Sequence, residues 1–505
     1  MIQKYFVSSQ IPLDNKINTN IMTIKDLEPK ELWGNFYNLT RCPRPSKHEE
    51  AVRDYLVKWA KERNIECHVD KVGNIIMRKP ATPGMENVCP VVLQAHMDMV
   101  PQARAGKVHD FLKDPIETKI VDGWVYACDT TLGADDGLGV AAAMAVLESK
   151  TIKHGPIEAL ITTDEETGMT GAFGLKRGEL KGKYLLNLDS ETEGELYVGC
   201  AGGIDATIAI PYATETAPKN YCAMRLTIGG LKGGHSGMEI NTGRANANKL
   251  LFRHIRWVAD CGIRLINVDG GNMRNAIPRD ASITFAMPKA HKECIEAELE
   301  KVAGWVKKEL GRVEPDFFMK LEPVRMYPKV MTEADTQKII NTVMIAPNGV
   351  IRMSKDMEGL VETSLNLAIM NTNGKSFTIK ALLRSSVDSA KEALAERLVC
   401  LAELAGGKCQ LTGAYPGWKP NMESGLLKTM KQTYKKMYGK EPAVVAIHAG
   451  LECGLLGGKY PDMEMISFGP TLNSPHSPDE RANIESSKKF FDYLVAALAA
   501  MPKEK

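Results

Sequence analysis

Five short segments of this 505-residue chain carry side chains that could do metal or acid–base chemistry. His96-Met97-Asp98 follows the apolar run Pro90–Ala95. Residues i and i+2 of a strand share a face, so Asp98 can stand beside His96 and hold its second ring nitrogen, as carboxylates do for metal-bound imidazoles. Taken alone, H-x-D also fits a histidine in an ordinary turn. Gly133-Ala-Asp-Asp-Gly-Leu-Gly139 sets two adjacent carboxylates among three glycines. Like charges side by side repel unless a cation compensates them, although a helix N-cap turn is the open alternative. The glycine spacing is wrong for a G-x-G-x-x-G dinucleotide loop, and acids there would repel a pyrophosphate. Thr163-Asp-Glu-Glu-Thr-Gly168 follows Pro156–Thr162 and by itself fits a solvated acidic loop. Leu188-Asp189-Ser190 offers one carboxylate where an N-cap also fits. Asn473-Ser-Pro-His476-Ser-Pro-Asp-Glu480 offers a lone histidine in a proline-rich loop.

Together the segments say more than any one of them. Ligands in open α/β sheets gather at the carboxyl ends of strands, and four of these segments each follow an apolar strand run. The set offers His96, Asp135, one of Glu165 and Glu166, Asp189 and His476. Two imidazoles and three carboxylates suit two zinc ions sharing a bridging carboxylate, with room for a bridging water. Manganese or cobalt would suit the same nitrogen and oxygen donors. An additional acid nearby would serve as general base.

The elements that must position these residues alternate between helix and strand. A capping-box pattern, Ser46-Lys-His-Glu49, predicts an amphipathic helix through Lys61. Strand-like runs follow at Ile65–Val69, Asn74–Met77 and Pro90–Ala95, then an alanine-rich helix over Asp135–Glu148, then strands at Pro156–Thr162 and Tyr184–Leu188. After Gly202-Gly203 the strands become half-exposed, and helices are expected at Ala245–Ala259 and Ser389–Leu404. From Tyr415 the buried texture returns, with strands at Val444–Ile447 and Met465–Phe468 and a terminal helix at Ile484–Met501. The expected fold is α/β: a discontinuous catalytic domain (residues 1–205 and 412–505) whose mixed, mostly parallel sheet is covered by helices, plus an inserted α+β lid domain (206–411).

Composition excludes several classes of function. Sixty-four Lys+Arg against 62 Asp+Glu leave a formal charge of +2, which removes the electrostatic case for nucleic acid or an anionic membrane as partner. No apolar run approaches the roughly 18–20 residues of a membrane helix. With 44% hydrophobic and 25% charged residues, general disorder is excluded. Eleven cysteines, scattered and without a C-x-x-C pair, argue against a disulfide framework or a zinc ribbon and fit a reducing cytoplasm. Met1–Asn20 lacks the apolar core of a signal peptide and reads as a disordered extension over residues 1–25, with Met22 as an alternative start.

These residues identify a family resemblance. From about Leu27 to Pro502 the chain resembles aminoacyl-histidine (Xaa-His, carnosine-type) dipeptidases of the dizinc metallopeptidase family that also holds aminoacylases. Val92–Pro101, Thr131–Gly137, Glu165–Met169 and Asn187–Ser190 resemble the wider family. Gly230–Gly237, Ile447–Gly454 and Pro475–Glu480 resemble this branch. The resemblance implies that His96 and Asp189 bind one zinc, Glu166 and His476 the other, and Asp135 both. It implies Asp98 as the group orienting His96 and Glu165 as general base. It also implies three residues of the insert: His235 and Asn275 at the scissile carbonyl or substrate, and Arg384 at the substrate carboxylate. Asp136 stands where relatives often carry Asn, a departure that should leave the metals in place. His448 and Glu452, four apart, fit either substrate contact or pairing along a helix. The implied substrate is a dipeptide; a homodimer is open, because smaller relatives dimerise through the insert. Rival readings are an aminoacylase acting on N-acyl amino acids, a serine hydrolase suggested by Gly234-His-Ser-Gly237 but lacking G-x-S-x-G spacing, and a non-catalytic binding protein.

Overall fold

A computed structural model describes residues 23–504. The possible starts at Met1 and Met22 and residues 1–22 of the expected disordered extension lie outside the described residues. The end of that extension is ordered, with a short turn of helix at Ile24–Asp26 that buries Ile24 in the first core. Two large sheets organise the chain. The first has eight strands in the order Glu66–Val69, Ile75–Lys79, Ile157–Thr162, Val91–His96, Tyr184–Asn187, Glu464–Ser467, Glu195–Cys200 and Ala443–Ile447. Its four central strands, Ile157–Thr162 through Glu464–Ser467, run parallel to one another. Their carboxyl ends therefore open on one edge. Side chains alternate between two cores: Val91, Leu93 and Ala95 join one cluster and Val92 the other, as period-two strands buried on both faces require. The alanine-rich helix Ala134–Glu148 is buried almost all round against the first of these clusters, which explains why its sequence has no polar face.

The second sheet has nine antiparallel strands and its own hydrophobic core. Gly202–Pro211 carries the chain into it and Lys408–Tyr415 carries the chain out, side by side. Helices Ala247–Val258, Lys292–Leu310, Glu333–Ile345 and Asp388–Leu404 contribute their apolar faces to that core. The α/β reading with a mixed sheet and an inserted α+β layer describes this architecture.

Local differences from the sequence reading have physical causes. The expected capping box does not form. The helix begins at Glu50, and the Glu49 carboxylate accepts the Lys47 N–H at 2.7 Å. Ser46 is drawn away because the backbone at Arg44 to Ser46 pairs with Met99 in the site loop. Asp135 and Asp136, expected at the start of the alanine-rich helix, have non-helical dihedrals, so regular helix begins after them.

Candidate metal centre and substrate site

His96 ends the strand Val91–His96, Glu165 opens a short helix after Ile157–Thr162, and Asp189 lies two residues beyond Tyr184–Asn187. Because these three strands are adjacent and parallel, their ends converge. Asp135 arrives from the turn before the buried helix and His476 from the loop after Glu464–Ser467. His96 Nε2 lies 3.0 Å from Asp135 Oδ1 and 3.3 Å from Asp189 Oδ1. His476 Nε2 lies 3.1 Å from Asp135 Oδ2 and 3.0 Å from Glu166 Oε2. Each oxygen of Asp135 thus faces a different imidazole.

This donor set fits two divalent cations. Around an ion with bonds of about 2.0–2.1 Å, tetrahedral ligands stand about 3.3 Å apart, close to the spacings found. The triads His96/Asp135/Asp189 and Asp135/Glu166/His476 each bring their ligand atoms within 4.8 Å of one another. Glu166 Oε1 is buried with no protein partner, a lone pair directed at something other than protein. Hydrogen bonds that His476 donates to the flanking Asp135 and Glu166 carboxylates push its pKa up to about 11, as the surplus of negative charge here requires.

The surrounding groups hold that set in place. Asp98 is fully buried and accepts the N–H groups of Glu165 at 3.0 Å and Glu166 at 3.3 Å, while lying 3.4 Å from His96 Nδ1. Burial works against its charge, but the His96 contacts and the Glu165 N–H win and lower its pKa to about 2. Burial raises the Glu165 carboxyl well above the usual range; His96 opposes the rise, and Asp189, Glu452 and Glu166 add to it. Asp136 accepts the His96 N–H at 3.3 Å and the Gly139 N–H at 3.1 Å, a backbone role beside the ligands.

The insert residues gather separately. The two-residue ladder Gly234–His235 with Ala276–Ile277 sets His235 opposite Ala276, next to Asn275. His235 Nδ1 accepts the N–H groups of Gly237 and Met238 at 3.3 and 3.1 Å, which leaves a neutral ring's proton on Nε2. Burial and then the Arg384 charge lower its pKa, favouring that neutral form. Arg384 Nη2 lies 3.5 Å from His235 Nε2. The Asn275 side chain is exposed and makes no hydrogen bond among the described residues; only its carbonyl is engaged, by the Ser236 N–H at 2.8 Å. No hydrogen bond or ion pair among the described residues joins these three to the His96 and His476 cluster.

His448 and Glu452 do not pair along a helix. His448 precedes the helix Glu452–Lys459, and its Nε2 meets Ser364 Oγ of the insert at 2.7 Å. Glu452 lies beneath the cluster, where one oxygen accepts from Gln94 at 2.6 Å and Thr162 at 2.7 Å.

Two positions escaped the sequence reading. Glu480 closes the segment Asn473–Glu480, and its buried carboxylate accepts the N–H groups of Leu132, Gly133, Ala134 and Asp135. Arg44, buried, donates to the carbonyls of Met97 and Asp98 at 3.1 Å each and to that of Gly133. An acid four residues after the lone histidine was the only sequence signal for the first; Arg44 gave none.

Sheet, cluster and insert define a metallopeptidase architecture. The model for Peptidase family M20/M25/M40 matches residues 92–500, and the chain belongs to that family. It is a hydrolase of peptide bonds. Over 480 residues it is 44% identical to the cytosol non-specific dipeptidase of Escherichia coli (strain K12), covering 95% of this chain and 99% of that one. Aminoacylhistidine dipeptidase from Vibrio alginolyticus superposes with a TM-score of 0.92 at 47% identity, covering 96% of this chain and 99% of that one. Aminopeptidase PepT from Bacillus cereus shares the fold, with a TM-score of 0.59 at 19% identity over 94% of this chain and 99% of that one. No helix among the described residues is long and apolar enough to cross a membrane.

Proposed function

We propose that this chain is a metal-dependent dipeptidase of the cytoplasm that hydrolyses short peptides, carnosine-type Xaa-His dipeptides among them. The observation that carries this reading is Asp135, whose two oxygens each face a different imidazole at 3.0 and 3.1 Å. His96 and Asp189 would hold one ion, Glu166 and His476 the second, and Asp135 both. Zinc is the first choice, with manganese or cobalt as substitutes. Two ions held there would supply a water of near-neutral pKa and a Lewis acid for the scissile carbonyl.

The protein's own groups then do the rest. Glu165, buried and held at a raised pKa, takes the proton of the attacking water and returns it to the leaving amine. Asp98 keeps His96 oriented. His235 donates from Nε2 to the carbonyl oxygen as negative charge develops there, with Asn275 beside it, and Arg384 takes the C-terminal carboxylate and so limits substrate length. Residues near 206–411 act as a lid whose closure excludes water from the reacting groups, and a homodimer through that segment belongs to the same reading. Likeness to dipeptidases at 44% and 47% identity supports the dipeptide substrate.

A dipeptide panel assayed with and without chelator, followed by zinc or manganese add-back, tests the reading. Activity should vanish with chelator and return with metal. Alanyl-histidine should be cleaved in preference to N-acetyl amino acids; the reverse order would make the chain an aminoacylase. Glu165→Ala should retain metal and lose at least about a hundredfold in kcat. Full activity in that variant would remove Glu165 as the base.

A further inference from the structure

Arg384 is only 6% exposed, yet none of its side-chain hydrogen-bond partners carries a negative charge. Its guanidinium donates to Ser236 Oγ and Tyr415 Oη at 3.4 Å each. It lies 3.5 Å from His235 Nε2, which carries that ring's proton and so is a neighbour and not an acceptor. Among the described residues no carboxylate forms an ion pair with it. A buried cation with only long contacts to neutral groups is costly unless an anion completes the site.

Tyr415 stands beside the same guanidinium. It is the last residue of the strand Lys408–Tyr415, the point at which the chain leaves the second sheet. Its ring is gripped between two glycines. A Cβ on Gly203 would lie 2.6 Å from the ring and 2.8 Å from the hydroxyl, and one on Gly450 would lie 3.2 and 3.3 Å from them. Gly450 also faces Met169, which follows the short helix carrying Glu165 and Glu166. The Tyr415 hydroxyl thus has the guanidinium as one neighbour and Gly450, which Met169 also adjoins, as another. Its oxygen accepts from Arg384, and among the described residues its own proton has no acceptor. Burial pushes the phenol pKa up, so the group stays a neutral donor.

We propose that Tyr415 is a second substrate-binding residue, donating its hydroxyl proton to the C-terminal carboxylate that Arg384 takes. The proposal rests on the Arg384 reading above. A carboxylate has lone pairs for both the guanidinium fork and a further donor. A terminal amide offers one oxygen and turns its own N–H groups toward these donors. The pair thus selects free C-termini, and Tyr415 acts on binding rather than on the chemical step.

Tyr415→Phe removes only the hydroxyl and keeps the ring between its two glycines. The metal-loaded variant is to be compared with the native enzyme on alanyl-histidine and on alanyl-histidine amide. For the acid, KM should rise about tenfold while kcat stays within about twofold, the pattern of lost uniform binding. KM on the amide, which offers one oxygen in place of two, should rise by less than on the acid. The melting temperature should fall only modestly, since Arg384 loses one acceptor. Calorimetric binding of free histidine to the holoenzyme should weaken about tenfold as well, independently of turnover. Unchanged KM for the acid, or an equal loss on acid and amide, overturns the proposal. Arg384→Ala, run alongside, separates the two readings. If it keeps the native preference for acid over amide, Arg384 does not hold the carboxylate and both readings fall. If it loses that preference while Tyr415→Phe behaves as native, Tyr415 alone is refuted.

Discussion

Glu480→Gln should destabilise the protein although it replaces one oxygen by a nitrogen. The Glu480 carboxylate is 2% exposed. One oxygen accepts the N–H groups of Leu132 at 2.8 Å and Gly133 at 3.0 Å; the other accepts those of Ala134 at 2.7 Å and Asp135 at 3.4 Å. Four successive backbone donors aimed at one anion form a concave nest, and they fix the turn that delivers Asp135. Glutamine keeps one acceptor oxygen but turns an NH2 group toward two of the donors. Rotation will place that group against the pair containing the long 3.4 Å contact, where least is lost. Two buried N–H groups then lack an acceptor, at about 1–3 kcal/mol each, so the expected loss is about 2–6 kcal/mol, toward the lower end because one of the lost contacts is the long one. Against a total stability of roughly 5–15 kcal/mol, that is a large change. Glu480→Ala strands all four donors and should cost at least about 4 kcal/mol. Urea unfolding followed by circular dichroism, with chelator present in every sample so that metal binding does not contribute, measures both. The measurement belongs at pH 8, above the value of about 7 to which burial pushes this carboxyl; glutamine also relieves the cost of burying that charge, which offsets part of the loss. A Glu480→Gln loss below about 0.5 kcal/mol, the range of ordinary surface substitutions, would refute the reasoning.

Two further outcomes follow from the same structure. Burial and then the positive Arg384, with His235 adding, lower the His448 pKa from 6.5 to about 3. Between those values the unfolded chain binds the extra proton and the folded chain does not, so stability falls as pH drops through 6.5; His448→Gln should abolish about 2 kcal/mol of the loss between pH 7.5 and 5, measured by urea unfolding. An unchanged pH dependence in that variant would show that His448 is not held neutral. Asp98→Asn should weaken metal binding about 10–100-fold in chelator competition without abolishing it, because Asp98 touches His96 rather than an ion; total loss of metal would make Asp98 itself a ligand.

Much of the fold was legible because its strands are buried on both faces and therefore apolar throughout. Pro90–Ala95, Pro156–Thr162 and Tyr184–Leu188 were expected and correspond to Val91–His96, Ile157–Thr162 and Tyr184–Asn187. The strand Glu195–Cys200 was not expected, since Glu195 and Gly199 leave only Leu196–Val198 as a continuous apolar run, though none of its residues is exposed. The Ser46 capping box failed because long-range pairing with Met99 outweighed a local signal worth about 1 kcal/mol.

The sequence by itself determined which residue types stand at which strand ends, because that information is local: a hydrophobic run followed by an imidazole or a carboxylate. It also placed His476 far downstream of Asp189, which forced the catalytic sheet to be split by an insert. Only the tertiary structure decided what these side chains meet. Asp135 faces two imidazoles because the turn before a buried helix meets a loop from the other end of the chain. Glu480 holds that turn, Glu452 supports the strands beneath it, and His448 reaches across to Ser364. Each of these contacts joins segments more than 80 residues apart. Spacing along a chain gives no distance between such segments, whereas the order and direction of strands in a sheet does.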